Sequence, residues 1–206
     1  MKLYYSPGAC SLSPHIVARE LGIDLQLEKV DTKAKQTETG RDFLQINPKG
    51  YVPTLQLDNG DVLTEGTAIV QYLADRKPEA KLAPANGTFE RSRLQETLGY
   101  ISTELHKTYS PLFNPTLPAE VRQERKDYLR KRYGLLEQTL AKQPYLLGDD
   151  FTVADAYLFT VTNWAGFVDL DLSEFKALNE FQQRVASRPA TQAALEAEGL
   201  ITKQAA

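Results

Sequence analysis

A chain of 206 residues is long enough for one large domain or two small ones with a full apolar core. Its 42% hydrophobic and 25% charged residues are ordinary for a soluble globular protein, and no run approaches the roughly 18 apolar residues of a membrane span. A formal net charge of −3 argues against the concentrated basic surface of a non-specific nucleic-acid binder, and the single cysteine excludes an internal disulfide.

Met1–Tyr5 reaches Ser6 and Pro7 too early for the apolar centre of a signal peptide, so a cytoplasmic, reducing location is expected. The basic residues Arg122, Arg125, Lys126, Arg130, Lys131 and Arg132 are interleaved with Glu120, Glu124, Asp127 and Glu137 at helical spacings. That pattern describes a solvated, ion-paired helix face. No nucleic acid and no membrane are expected as partners.

Lys2–Tyr5 reads as a strand. Ser13 is placed to cap a first helix, Pro14 suits its first turn, and Gly22 can end it. Leu25–Val30 alternates as a half-buried strand does. Arg41–Gln45 predicts one short helix, stopped before Asn47-Pro48 because the residue ahead of proline avoids helical angles. Two apolar runs, 54–57 and 62–64, flank Asn59-Gly60, a strong hairpin signal. A helix through Ala68, Ile69, Tyr72 and Leu73 follows. The order β-α-β-α-β-β-α describes an α/β, thioredoxin-like domain with a mixed sheet over residues 1–77. A doubly wound nucleotide fold is the alternative, and both the G-x-G-x-x-G and Walker A sequences are missing.

Residues 78–87 carry Pro78, Pro84 and Gly87 without apolar periodicity and read as a linker. Residues 88–206 then read as an all-α domain. Leu94, Leu98, Ile101 and Leu105 form the core stripe of its first helix. Pro118 opens a second, with Tyr128, Leu129, Tyr133, Leu136 and Leu140 apolar. Thr152-Val153-Ala154-Asp155 has the spacing of a capping box, and helices at 174–187 and 189–200 close the chain.

Cys10 falls on the turn between the first strand and the first helix. Backbone N–H groups and the dipole at a helix start favour negative charge, which lowers a thiol pKa. The opposite reading is an inert buried thiol. Cys10-Ser11-Leu12-Ser13 is a one-thiol C-x-x-S, so any disulfide must form with a small thiol or another chain. Val52-Pro53 is either a trans proline ending a loop or a cis bond that turns the Val52 backbone outward to pair with an extended peptide.

Glu65-Gly66 opens a helix whose N–H groups can take a carboxylate while Glu65 takes an ammonium; alternatively Glu65 only complements the helix dipole. Gly99, Thr103 and His106 form a small, polar stripe beside the core stripe. His106 there either donates to or accepts a proton from a sulfur, or is an exposed surface histidine. One cysteine and two histidines, of which His15 lies in the first helix, do not make a metal site. No G-x-S-x-G context supports a serine triad.

Five segments carry a resemblance across essentially the whole chain. They are Tyr4–Ser11, Asn47–Pro53, Leu63–Gly66 with Ile69–Leu73, Glu104–Lys107 and Phe151–Ala156. In this order and spacing the chain resembles the cytosolic glutathione transferases, above all the bacterial beta class. The resemblance implies glutathione as co-substrate, no metal, a small hydrophobic electrophile and a symmetric homodimer. By its motifs Cys10 and His106 lie at the glutathione sulfur, and Val52 pairs through its backbone with the cysteinyl part beside a cis-proline matched by Pro53. Glu65 and the Gly66 backbone hold the γ-glutamyl head, while Lys35, Thr103 and Lys107 meet the remaining polar ends. Asp155 matches a buried capping residue.

Three positions depart: Gly99 where some members carry Asn, and Gly66 and Thr103 where some carry Ser. The Tyr or Ser that activates glutathione in other classes is not cleanly matched by Tyr5 or Ser11. The expected reaction is conjugation of the glutathione thiolate, with an electrophile pocket near Tyr5, Tyr109, Leu112 and Phe113. The alternatives are disulfide exchange through a Cys10–glutathione mixed disulfide, and a non-catalytic ligand-binding or regulatory protein.

Overall fold

The computed structural model describes residues 1–202. Contacts divide the chain into two compact units: Met1–Lys81 with the chain from Ser187 onward, and Leu82–Ala186. The final helix therefore counts with the first unit, whereas the sequence grouped it with residues 88–206.

The first unit is built on a five-stranded mixed sheet ordered β3-β2-β1-β4-β5. Its strands are β1 (Lys2–Tyr5), β2 (Gln26–Asp31), β3 (Gln36–Thr37), β4 (Thr54–Gln56) and β5 (Val62–Thr64). β1 runs parallel to β2 and antiparallel to β4, so the α1 (Leu12–Glu20) crossover of the βαβ unit is where the sequence placed it. Gly22, at φ +58°, ends α1 and returns its N–H to Arg19. The hairpin pairs Leu55 with Leu63 across a loop in which Gly60 sits at φ +93°, the left-handed region that its missing Cβ permits.

Side chains alternate across a strand, and both faces of this sheet are covered: Leu3, Tyr4 and Leu55 are all fully buried. On one face Tyr4, Val30 and Val52 close around Phe43. Truncating Phe43 to alanine would cost about 3–5 kcal/mol, the usual penalty for emptying such a site. α1 packs against α2 (Gly66–Asp75) and against α8 (Pro189–Ala197).

Three local expectations are corrected. Ser13 does not cap α1. The helix begins at Leu12, Ser11 takes the cap position, and the Ser13 hydroxyl donates to the Cys10 carbonyl at 2.9 Å. The expected helix at 41–45 is a 3-10 turn, Phe43–Gln45, with Asp42 accepting from the Leu44 N–H. The two-residue β3 is too short to leave a periodicity and was not expected.

The second unit is helical. α3 (Phe89–Tyr100) is capped by Thr88 and runs through a π turn, Ile101–His106, into the short α4 (Lys107–Tyr109). α5 (Ala119–Leu140), α6 (Val153–Thr162) and α7 (Lys176–Ala186) complete it. The predicted stripe Leu94, Leu98, Ile101 and Leu105 is buried throughout. Tyr128 departs from its predicted apolar role: it is exposed and its hydroxyl donates to Glu104 at 2.5 Å. Asp155 is fully buried at the start of α6, where its carboxylate accepts from the Thr152 N–H and hydroxyl and from the Leu146 N–H. Burial outweighs those bonds and pushes its pKa up to about 6.

Candidate active site

In the first unit four predicted residues, Cys10, Lys35, Glu65 and Gly66, converge on one loop, Lys49–Pro53, which carries a fifth, Val52. Cys10 lies between β1 and α1, half-buried, and its thiol donates to the Val52 carbonyl at 3.2 Å. Beside it the Ser13 hydroxyl donates to the Cys10 carbonyl, and the Ser11 hydroxyl donates to the Ser6 carbonyl and accepts from the Ser6 N–H. Val52-Pro53 is the cis peptide bond of the described residues. A Cβ built on Gly66 would touch Pro53 Cγ at 3.6 Å, so the start of α2 lies against this proline. That distance is ordinary contact, and the lack of a side chain at Gly66 is not a steric necessity here.

Glu65 precedes α2 with φ +69°, a left-handed value uncommon for a residue with a Cβ. Its carbonyl accepts from the Ala68 and Ile69 N–H groups. Its carboxylate accepts from Lys49 Nζ at 2.7 Å and from the Tyr51 hydroxyl at 2.6 Å. The bond to Glu65 raises the pKa of both partners. Lys35, also left-handed at φ +57°, donates from Nζ to the Gly50 carbonyl at 2.7 Å. Lys49 and Tyr51 were missed as site residues. Their signal was inside the Asn47–Pro53 segment, but only the fold carries their side chains to Glu65.

The remaining predicted residues lie in the second unit, on and just after the π turn. Thr103 is exposed and donates to the Gly99 carbonyl at 3.0 Å, and Lys107 is exposed. His106 is half-buried, with Nδ1 2.7 Å from the Tyr157 hydroxyl. Its ring meets the edge of Trp164, centroids 4.8 Å apart. The predicted stripe of Gly99, Thr103 and His106 is thus broken. A π turn holds more residues than an α turn, and His106 turns toward the Trp164 and Tyr157 rings while Thr103 faces solvent.

Of the residues expected to line an electrophile pocket, Tyr5, Tyr109 and Leu112 are buried, and Phe113 is 49% exposed. The Tyr109 hydroxyl is paired with that of Tyr133 at 3.1 Å. Burial raises the pKa of both, Tyr133 to about 12, so neither supplies a phenolate near neutral pH. Among the described residues no group of His, Cys, Asp or Glu side chains is assembled to hold a metal, and no helix is long and apolar enough to cross a membrane.

A cis proline beside a thiol, followed by a glutamate-led helix and then a helical unit, is the arrangement that the five sequence segments anticipated. The model for "Glutathione S-transferase, N-terminal domain" matches residues 8–76, and that for "Glutathione S-transferase, C-terminal domain" matches residues 100–189. The chain belongs to the glutathione S-transferase family. It is 47% identical over 200 residues to the glutathione S-transferase GstA of Escherichia coli O157:H7, covering 97% of this chain and 100% of that protein.

Two solved glutathione transferases agree with it at a TM-score of 0.94. One is the bacterial beta-class enzyme of Sphingomonas chungbukensis, 45% identical over 98% of this chain and 100% of that chain. The other is a sphingomonad enzyme complexed with glutathione, 43% identical with the same coverage. The fold is that of this family, a thioredoxin-like unit followed by a helical one, with bacterial beta-class relatives.

Proposed function

We propose that this chain conjugates the sulfur of glutathione to small hydrophobic electrophiles. The observation that carries the reading is the convergence of Cys10, Lys35 and Glu65 on the Lys49–Pro53 loop, which carries Val52, in a member of this family. The Val52 backbone is assigned to the cysteinyl part of glutathione. When the tripeptide binds, its cysteinyl N–H takes the carbonyl that the Cys10 thiol otherwise occupies. Glu65, with two donors already converging on its carboxylate, is assigned the ammonium of the γ-glutamyl head, and the Gly66 N–H at the start of α2 its carboxylate. Lys35, Thr103 and Lys107 are assigned the remaining polar ends.

Cys10 and His106 are assigned to the glutathione sulfur. The thiol loses its proton to solvent, the thiolate attacks the electrophilic carbon, and the C–S bond forms as the leaving group departs. A free thiol has a pKa of about 8.5, so the first unit of depression raises the thiolate fraction at pH 7 nearly tenfold, and the gain levels off once the pKa reaches the pH. Calorimetry with glutathione, paired with an assay of its conjugation to an aryl halide, tests the reading. Saturable binding at or below millimolar concentration and a protein-dependent rate are expected. Neither observed at millimolar glutathione overturns it.

The reading brings with it a homodimer and a cytoplasmic location, both expected from the family resemblance. Light scattering and cell fractionation check them. Family membership does not favour the disulfide-exchange or non-catalytic alternatives. Cys10→Ala separates them, with conjugation expected to survive within about tenfold and the mixed disulfide to be lost.

A further inference from the structure

We infer that Tyr157 is a positioning residue that fixes His106 as its Nε2-protonated tautomer, so that the ring meets the reacting sulfur as a hydrogen-bond donor and not as a base. The inference deepens the proposed function and rests on its placing of His106 at the sulfur. Tyr157 is buried on α6, and its hydroxyl lies 2.7 Å from His106 Nδ1. Of two neutral partners, a phenol is the better donor and an imidazole nitrogen the better acceptor. Tyr157 therefore gives its proton to the bond and Nδ1 supplies the lone pair. A neutral imidazole whose Nδ1 accepts must carry its proton on Nε2.

The ring has little freedom to do otherwise. The Trp164 edge lies against it at 4.8 Å and 75°, the Tyr157 ring at 5.9 Å and 72°. Trp164 is itself braced by Tyr109 and Phe113, each with centroids 5.8 Å away. The π turn that ends at His106 brings the side chain onto these aromatics. A ring held in this way pays little reorganisation when a thiolate forms beside it, which is the condition under which one donor counts for most. The proton of the glutathione thiol then leaves to solvent, as the conjugation step requires, and the Nε2–H stabilises the sulfur it leaves behind.

The test is the long-range ¹H–¹⁵N spectrum of the ¹⁵N-labelled protein near neutral pH. Only two histidines are present, and His106→Asn identifies which signals belong to His106. A single Nε2-protonated form is expected in the wild type, with the Nδ1-protonated form appearing beside it in Tyr157→Phe, because a free imidazole leans toward Nε2 without excluding Nδ1. In the same variant kcat for aryl-halide conjugation is expected to fall about five- to tenfold, the loss of one hydrogen bond's worth of transition-state stabilisation, while KM for glutathione stays within about twofold. Protonation at Nδ1 in the wild type overturns the inference, and so does an unchanged tautomer in Tyr157→Phe. Should that variant fail to fold, the wild-type spectrum still decides. A His106→Asn variant with full kcat would instead overturn the assignment of His106 to the sulfur, a failure that the tautomer spectrum does not share.

Discussion

Glu65 takes a left-handed backbone at φ +69° while its carboxylate gathers Lys49 and Tyr51. Such a conformation costs of order 1–3 kcal/mol and persists only where the surroundings enforce it. Here it turns the chain from β5 into α2 and sets the carboxylate beside the loop that also carries Val52. Glu65→Gln keeps the size and removes the charge. A charged hydrogen bond is worth about 1.5–3 kcal/mol, so KM for glutathione is expected to rise about ten- to a hundredfold in steady-state assays, with thermal stability little changed. Cys10, Val52 and Glu65 were legible as candidates because each sits at a step with a specific chemical use beside its bland one: a thiol at a strand–helix turn, a Val-Pro step, a Glu-Gly helix start; Lys35 came from the family resemblance alone. Lys49 and Tyr51 were not legible, because a lysine and a tyrosine in a loop carry no periodicity and acquire a role only when β4 and β5 fold them toward Glu65.

At the scale of elements, the long predicted helix at 88–109 is right about its core stripe and wrong about its polar one. Leu94, Leu98, Ile101 and Leu105 are buried as spaced, yet the π turn beginning at Ile101 separates Thr103 from His106. A π turn differs from an α turn by one residue of winding and leaves no mark in a hydrophobic pattern. The start of α6 was legible, because Thr152 and Asp155 are spaced as a capping pair. Asp155→Ala would strand the buried Leu146 and Thr152 N–H groups at a cost of about 2–5 kcal/mol. For a chain of this size that lowers Tm by about 5–15 °C in a calorimetric scan.

The pH dependence has a definite sign. Burial raises the Asp155 pKa from 3.8 to about 6, so the folded state holds this proton more tightly than the unfolded chain. Its contribution is complete below about pH 4 and is lost as pH rises through about 6. Asp155→Asn should remove that slope from denaturation midpoints measured across the interval.

For the molecule as a whole, the order of strands and helices was readable from alternating periodicities except for the two-residue β3 and the 3-10 turn after it, while the placing of α8 was not. Nothing in residues 189–200 says which helix they will meet, and the structure packs α8 on α1, joined by the Arg188–Glu20 ion pair at 2.6 Å. The same first unit carries a buried acid, Glu28. Burial would raise its pKa, but hydrogen bonds from Lys2, Thr39 and Arg41 outweigh it and hold the carboxyl at about 2, below its ordinary 4.5. This depressed group stabilises the fold fully above about pH 4.5 and ceases to do so as pH falls toward 2. Acid titration of unfolding should show that loss in the wild type and its absence in Glu28→Gln.

The account stands on glutathione lying along the Lys49–Pro53 loop with its sulfur at Cys10. A crystal structure of the glutathione complex tests that directly. It is expected to show the cysteinyl backbone paired with Val52, the γ-glutamyl ammonium on Glu65 and the sulfur beside Cys10 and His106. Tripeptide bound away from this loop, or its sulfur directed away from Cys10, would contradict the account.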